Sequence, residues 1–126
     1  MKNIYILIIS ILIMSCSQSD DTIEKDLLIR VKNISQFEFN NVLVNTNGGE
    51  QNFGNIDVNQ NSDYKSFDFA YRYAFIEVII DGNTFTIQPI DYVGETKLDK
   101  GRYTYEVNAT NNGSQHSRLT ITLIED

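Results

Sequence analysis

The sequence has one cysteine, one histidine and one proline among 126 residues. A lone cysteine, Cys16, closes no intrachain disulfide, and one histidine beside it leaves none of the usual zinc ligand sets. A single histidine, His116, also gives nucleophilic catalysis little to work with. It lies in a loop of Asn, Gly, Ser and Gln, with no oxyanion-type glycine motif beside it, and reads as a surface residue. Cations are in deficit too: 10 Lys and Arg stand against 17 Asp and Glu, for a net charge of −7. Arg30, Lys32, Lys65, Arg72, Lys97, Lys100, Arg102 and Arg118 are scattered among those carboxylates. Nucleic acid, whose binding draws on clustered cations, is excluded as a partner on that ground. Neither a helical stripe with caps nor an internal repeat occurs after the first residues. Length allows one domain, which buries roughly two thirds of its unfolded surface and needs no metal or disulfide staple.

What is present begins at the N-terminus. Lys2 supplies a positive start, and Ile4 to Met14 form an apolar run broken only by Ser10, too short to cross a bilayer permanently. The run ends in Ile13-Met14-Ser15-Cys16, which resembles the lipobox of bacterial lipoproteins, with Met14 as a less usual middle residue. The resemblance implies cleavage after Ser15 and diacylglycerol on the Cys16 sulfur. Each buried methylene contributes about 0.8 kcal/mol, so two or three acyl chains would hold the chain on a membrane where one would not. Ser17, where an aspartate would resemble an inner-membrane retention signal, favours the outer membrane. Ser17-Gln18-Ser19-Asp20-Asp21 is similar to the short acidic export signal of Bacteroidota lipoproteins, and Asp21-Thr22-Ile23 to that phylum's O-glycosylation acceptor. A plain solvated tether accounts for the same residues. The expected organisation is a signal peptide over 1–15, a lipidated tether over 16–26 and one domain over 27–126.

Within the domain the hydrophobic period is two. Leu27, Ile29 and Val31 alternate with Leu28, Arg30 and Lys32, predicting a half-buried strand that ends near Ile34. Phe37, Phe39, Val42 and Val44 continue the pattern, with a parity change across Asn40-Asn41 as a bulge produces. Asn47-Gly48-Gly49 turns the chain, and a weaker strand covers Phe53 to Val58. Phe67, Phe69, Tyr71, Tyr73 and Phe75 share one parity while Ile76, Val78 and Ile80 take the other, predicting two strands with a bend near Tyr71 to Ala74. Asp81-Gly82 supplies the positive φ of a tight hairpin into Thr84 to Gln88, with Phe85 and Ile87 on one face. Pro89 ends that strand. Leu98, Gly101, Tyr103, Tyr105 and Val107 resemble the tyrosine corner of Greek-key sandwiches, with Tyr103 as the corner. Leu119, Ile121 and Leu123 form the inward face of a last strand, paired across the loop 110–117. About seven or eight short antiparallel strands indicate an all-β, immunoglobulin-like or transthyretin-like β-sandwich.

The mature chain resembles the small lipoproteins of Flavobacteria-like Bacteroidota, through Ser62-Asp63-Tyr64, Pro89-Ile90-Asp91-Tyr92-Val93-Gly94-Glu95 and Gly101-Arg102-Tyr103-Thr104-Tyr105. That likeness implies a fold and an address at the outer membrane, with the cell-surface and periplasmic faces both left open; it brings no catalytic residue and no cofactor. Asp91, Glu95 and Asp99 share one long connection that could gather calcium, but their spacing matches no EF-hand loop, and a solvated acidic loop is the preferred reading. No pair of carboxylates is singled out for glycoside chemistry. Tyrosine is the richer signal. It stacks on sugars and anchors interfaces while keeping its hydroxyl wet. Most of Tyr64, Tyr71, Tyr73, Tyr92, Tyr103 and Tyr105 are expected in the core or at a corner, and Tyr71, Tyr73 and Tyr92 are the candidates for a ligand or partner surface. The expected function is a non-enzymatic, lipid-anchored module that binds a protein or a glycan. The alternative is a structural or accessory subunit of an outer-membrane assembly. The oligomeric state is left open.

Overall fold

The computed structural model describes residues 26–126. Cys16, the expected signal peptide and the expected tether up to residue 25 lie outside the described residues. Eight strands follow in order: β1 (Leu27–Asn33), β2 (Phe39–Asn45), β3 (Glu50–Ile56), β4 (Lys65–Phe67), β5 (Phe75–Ile80), β6 (Asn83–Ile87), β7 (Gly101–Ala109) and β8 (Leu119–Glu125). They form two four-stranded sheets, β4-β1-β7-β8 and β3-β2-β5-β6. The inner faces meet in one core of Ile29, Val31, Phe39, Val42, Val44, Ile76, Val78, Tyr105 and Val107, each with no exposed surface. The fold is an all-β sandwich, as the alternation predicts. Among the described residues there is no helix long and apolar enough to cross a membrane.

One pairing departs from the antiparallel expectation. β1 runs parallel to β7 over seven residue pairs, from Leu27 beside Gly101 to Asn33 beside Val107. Parallel neighbours are distant in sequence, because the return needs a long connection. Alternation within β1 or β7 carries no sign of direction. The order also differs from the immunoglobulin constant type, whose first strand pairs with the second.

Local signals fared unevenly. The Asp81-Gly82 hairpin forms, with φ of 50° and 79° at its two central residues and Ile80 opposite Asn83. The bulge in β2 forms as well: the register shifts between Phe39 and Val42, and Asn41 takes φ 51°. The Tyr103 hydroxyl donates to the Asp99 carbonyl at 2.8 Å, completing the tyrosine corner. The strand expected over Phe53 to Val58 runs instead from Glu50 to Ile56, because pairing with β2 extends it back toward the turn at 46–49. The aromatic run from Phe67 to Tyr73 is not a strand beyond Phe67. β4 belongs to one sheet and β5 to the other, so residues 68–74 must cross between the layers instead of pairing within either. Thr86, expected to face outward, is buried, because the connection before β8 folds over it: its N–H donates to the Gln115 carbonyl at 3.0 Å.

Candidate functional site

The crossing segment 68–74 and the connection between β6 and β7 meet at the end of the sandwich where β1 begins. Gly101 N–H bonds to the Asp26 carbonyl at 3.0 Å and Leu98 N–H to the Ala70 carbonyl at 2.9 Å, which fastens both loops to that end. The turn at Asn47-Gly48-Gly49 supports them from beneath. Asp68 N–H donates to the Gly48 carbonyl at 2.9 Å, and Thr46 Oγ1 donates to the Phe69 carbonyl at 2.8 Å.

This meeting brings the three candidate tyrosines together. Tyr92 stacks on Tyr71 with centroids 4.4 Å apart and on Tyr73 at 5.6 Å, both at an interplanar angle of 15°. Phe69 extends the row edge-on to Tyr71 at 6.1 Å, and the Lys97 ammonium sits 4.1 Å from the Phe69 centroid. Such contacts contribute about 0.5–1.5 kcal/mol each beyond the area they bury. The row is held from inside. The Tyr105 hydroxyl, deep in the core, donates to the Tyr71 carbonyl at 2.6 Å, and burial drives its pKa far up.

The three residues divide in role. Tyr71 is only 7% exposed and is part of the framework, which corrects its expected place on a contact surface. Tyr92 is stacked on both other tyrosines and is half-buried. Tyr73 alone lines the open groove that follows, about 570 Å³ in volume, together with Ile87, Pro89, Ile90 and Val93. Its hydroxyl lies 3.3 Å from the Asp91 carbonyl; partial desolvation, then the neighbouring Glu95 and Asp91 carboxylates, hold its pKa above the ordinary tyrosine value.

Two groove residues escape the alternation-based reading. Ile90 is 100% exposed and Val93 87%, although both are aliphatic. Val93 sits in a built turn. Glu95 N–H bonds to the Tyr92 carbonyl at 3.0 Å, Val93 N–H bonds to Asp91 Oδ1 at 3.0 Å, and Gly94 takes φ 80°. Glycine in the third position with positive φ makes a type II turn, which holds Val93 out at the second position. Two aliphatic side chains in a strandless loop were the signal available in the sequence.

Elsewhere the polar candidates resolve into structural contacts. His116 Nδ1 is 2.7 Å from Thr86 Oγ1, on an exposed ring that ties the 110–118 connection to β6. Among the described residues no three His, Cys, Asp or Glu side chains are placed to hold a metal ion, and Asp91, Glu95 and Asp99 are not gathered. On the outer face of the first sheet Asp126 accepts from Thr104 Oγ1 and, at 2.7 Å, from the Tyr64 hydroxyl, with Arg30 Nε 3.7 Å away.

No family model matches the chain, and no curated protein does. The fold is similar to a solved NMR structure of a protein from Eubacterium rectale, which is 18% identical and covers 86% of this chain and 93% of that one with a TM-score of 0.52. At that identity the likeness carries the fold alone.

Proposed function

We propose that the chain is an outer-membrane lipoprotein, anchored through Cys16, whose β-sandwich is a non-catalytic binding module with its contact surface at the groove beside Tyr73. The observation that carries the binding part is the pair Ile90 and Val93, both in solvent, the second held there by a hydrogen-bonded turn, at the mouth of a mainly apolar groove that also carries Asp91 and Glu95. A fold gains nothing internally from presenting two aliphatic side chains to water, and such surface marks a contact site. A protein ligand fits the lining better than a glycan. Sugar rings stack on free aromatic faces, and here Tyr92 is already stacked on two tyrosines while Tyr71 is buried. The anchor part is supported by the lipobox-like Ile13-Met14-Ser15-Cys16 and by the position of Asp26, at the groove end of the sandwich. An extended tether of about ten residues reaches at most ~36 Å, so the groove would work close to the membrane.

The second reading, an accessory subunit of an outer-membrane assembly, draws on the same exposed pair, since a protruding turn can also seat in a neighbouring subunit. One set of cultures tests both. The protein is purified from membranes as wild type, Cys16→Ala and the double variant Ile90→Ser Val93→Ser, with mass spectrometry of the N-terminus and protease shaving of whole cells. An acylated Cys16 at the mature N-terminus and release by shaving are expected, with a co-purifying protein lost from the double variant. A partner in fixed stoichiometry favours the assembly reading. An unmodified Cys16 sinks the anchor, and a partner unaffected by the double variant sinks the groove.

A further inference from the structure

A four-stranded sheet has two edges, and three of the four in this sandwich are blunted. β4 is three residues long and carries Lys65. β3 is irregular against β2, with two register shifts and Gly54 at φ 73°. β6 is covered where Thr86 N–H bonds to the Gln115 carbonyl. Short length, charge, bulges and covering loops are the usual protections of exposed strand edges. Of these β8 has only a charge at its last residue, Glu125. It pairs with β7 in unbroken register from Leu119 to Glu125, contains no proline, and is uncharged over Leu119-Thr120-Ile121-Thr122-Leu123-Ile124.

The hydrogen-bond parity of β8 fixes which backbone groups are free. Thr110 N–H bonds to the Arg118 carbonyl and Asp126 N–H to the Arg102 carbonyl, so the even-numbered residues of β8 face β7. In an antiparallel ladder the alternate residues point the other way. The N–H and C=O groups of Leu119, Ile121, Leu123 and Glu125 are therefore aimed out of the sheet edge. Arg72 and Tyr73 share a trough of about 500 Å³ with Ile121, Thr122 and Leu123 along that strand. A second recess, beyond Leu123 and Glu125, is walled by Leu98 and Tyr103. Tyr73 belongs both to this trough and to the groove at Ile90.

We infer that β8 is a strand-addition site, which takes an extended segment of a partner protein, apolar at alternate positions and without acidic charge, as a ninth strand leading into the Tyr73 groove. Backbone bonds supply affinity in this mode, and recesses for alternate side chains supply specificity. The acidic balance of the chain, −7, disfavours an acidic segment. A second copy of this chain fits less well, and here the inference rests on the tethered-module reading. Antiparallel self-pairing through β8 reverses the strand direction, so the partner's Asp26 end would lie at the opposite pole and the two anchors would point apart.

The test uses full-length acylated protein in detergent micelles and a capped peptide with the sequence of residues 118–126 carrying Glu125→Gln and Asp126→Asn, which has the required alternation, no acidic side chain and no tether. Amide hydrogen exchange is read with and without peptide. Exchange at Leu119, Ile121, Leu123 and Glu125 should slow by at least about tenfold while Thr120, Thr122 and Ile124, already bonded to β7, change little. The same peptide N-methylated at residues 119 to 125 cannot donate on either edge and should have no effect. Unchanged exchange at the four amides, or equal protection by the methylated peptide, overturns the inference. So does a stable dimer in light scattering without peptide, which would make the second copy the occupant. Failure of the groove reading shows in the Ile90 and Val93 variant, whereas failure of strand addition shows only in these amides.

Discussion

The hydroxyl of Tyr105 in β7 donates a 2.6 Å hydrogen bond to the carbonyl of Tyr71, 34 residues earlier in the chain. This bond joins the core to the segment that crosses between the sheets, and so to the tyrosine row built on it. Tyr105 has no exposed surface, so neither partner can turn to water. Tyr105→Phe keeps the ring and leaves the Tyr71 carbonyl unsatisfied, which is expected to cost about 1–3 kcal/mol in chemical denaturation. Tyr103→Phe removes a less enclosed bond to the Asp99 carbonyl and should cost about 1 kcal/mol. Equal losses would show that the buried bond has no special weight.

Alkaline pH should unfold the protein through the same residue. Burial raises the Tyr105 pKa well above the ordinary tyrosine value of about 10. Its folded-state pKa lies above the unfolded one, so its contribution is complete below about pH 10 and falls as pH rises from there toward the folded value. Tyr64, raised by partial desolvation and then by its bond to Asp126, adds in the same direction. Denaturation midpoints should fall steeply above about pH 10, in step with tyrosinate absorbance, and Tyr105→Phe should flatten that fall. A midpoint that is level through this range would remove the argument.

Gly48→Ala should be severe although the site lies in a turn. A Cβ there would stand 2.2 Å from the Phe69 carbonyl oxygen and 2.6 Å from its nitrogen, and both are backbone atoms. The segment 68–74 would have to move, taking the tyrosine row with it. A loss of roughly 2–4 kcal/mol is expected in chemical denaturation. Near-ultraviolet circular dichroism of the tyrosines should change in step with the loss.

Asn33 at the end of β1 is fully buried and bonds on every side. Its Nδ2 donates to the Phe37 and Ile56 carbonyls at 2.7 and 3.0 Å, while Oδ1 accepts from the N–H and hydroxyl of Ser35. Asn33→Leu keeps the branched skeleton, adds volume and strands those partners, and should cost roughly 2–4 kcal/mol in thermal or chemical unfolding. A neutral result would mean that the 34–38 connection reorganises around water.

The sequence by itself determined the strands wherever burial follows a period of two, as at Leu27, Ile29 and Val31, because one pleated face meets the core and the other meets solvent. It also determined the Asp81-Gly82 hairpin, the bulge at Asn40-Asn41 and the Tyr103 corner, each of which is settled by a few adjacent residues. Which sheet a strand joins is not local. The parallel pairing of β1 with β7, and the crossing of 68–74 from one layer to the other, were decided by how eight strands share one core. The same reason divided the tyrosines. Composition selected Tyr71, Tyr73 and Tyr92, but only packing could bury Tyr71, stack Tyr92 on the other two and leave Tyr73 open to the groove. Ile90 and Val93 escaped notice because exposure is a property of the assembled surface: an aliphatic side chain in a loop is written the same way whether the fold covers it or holds it in water.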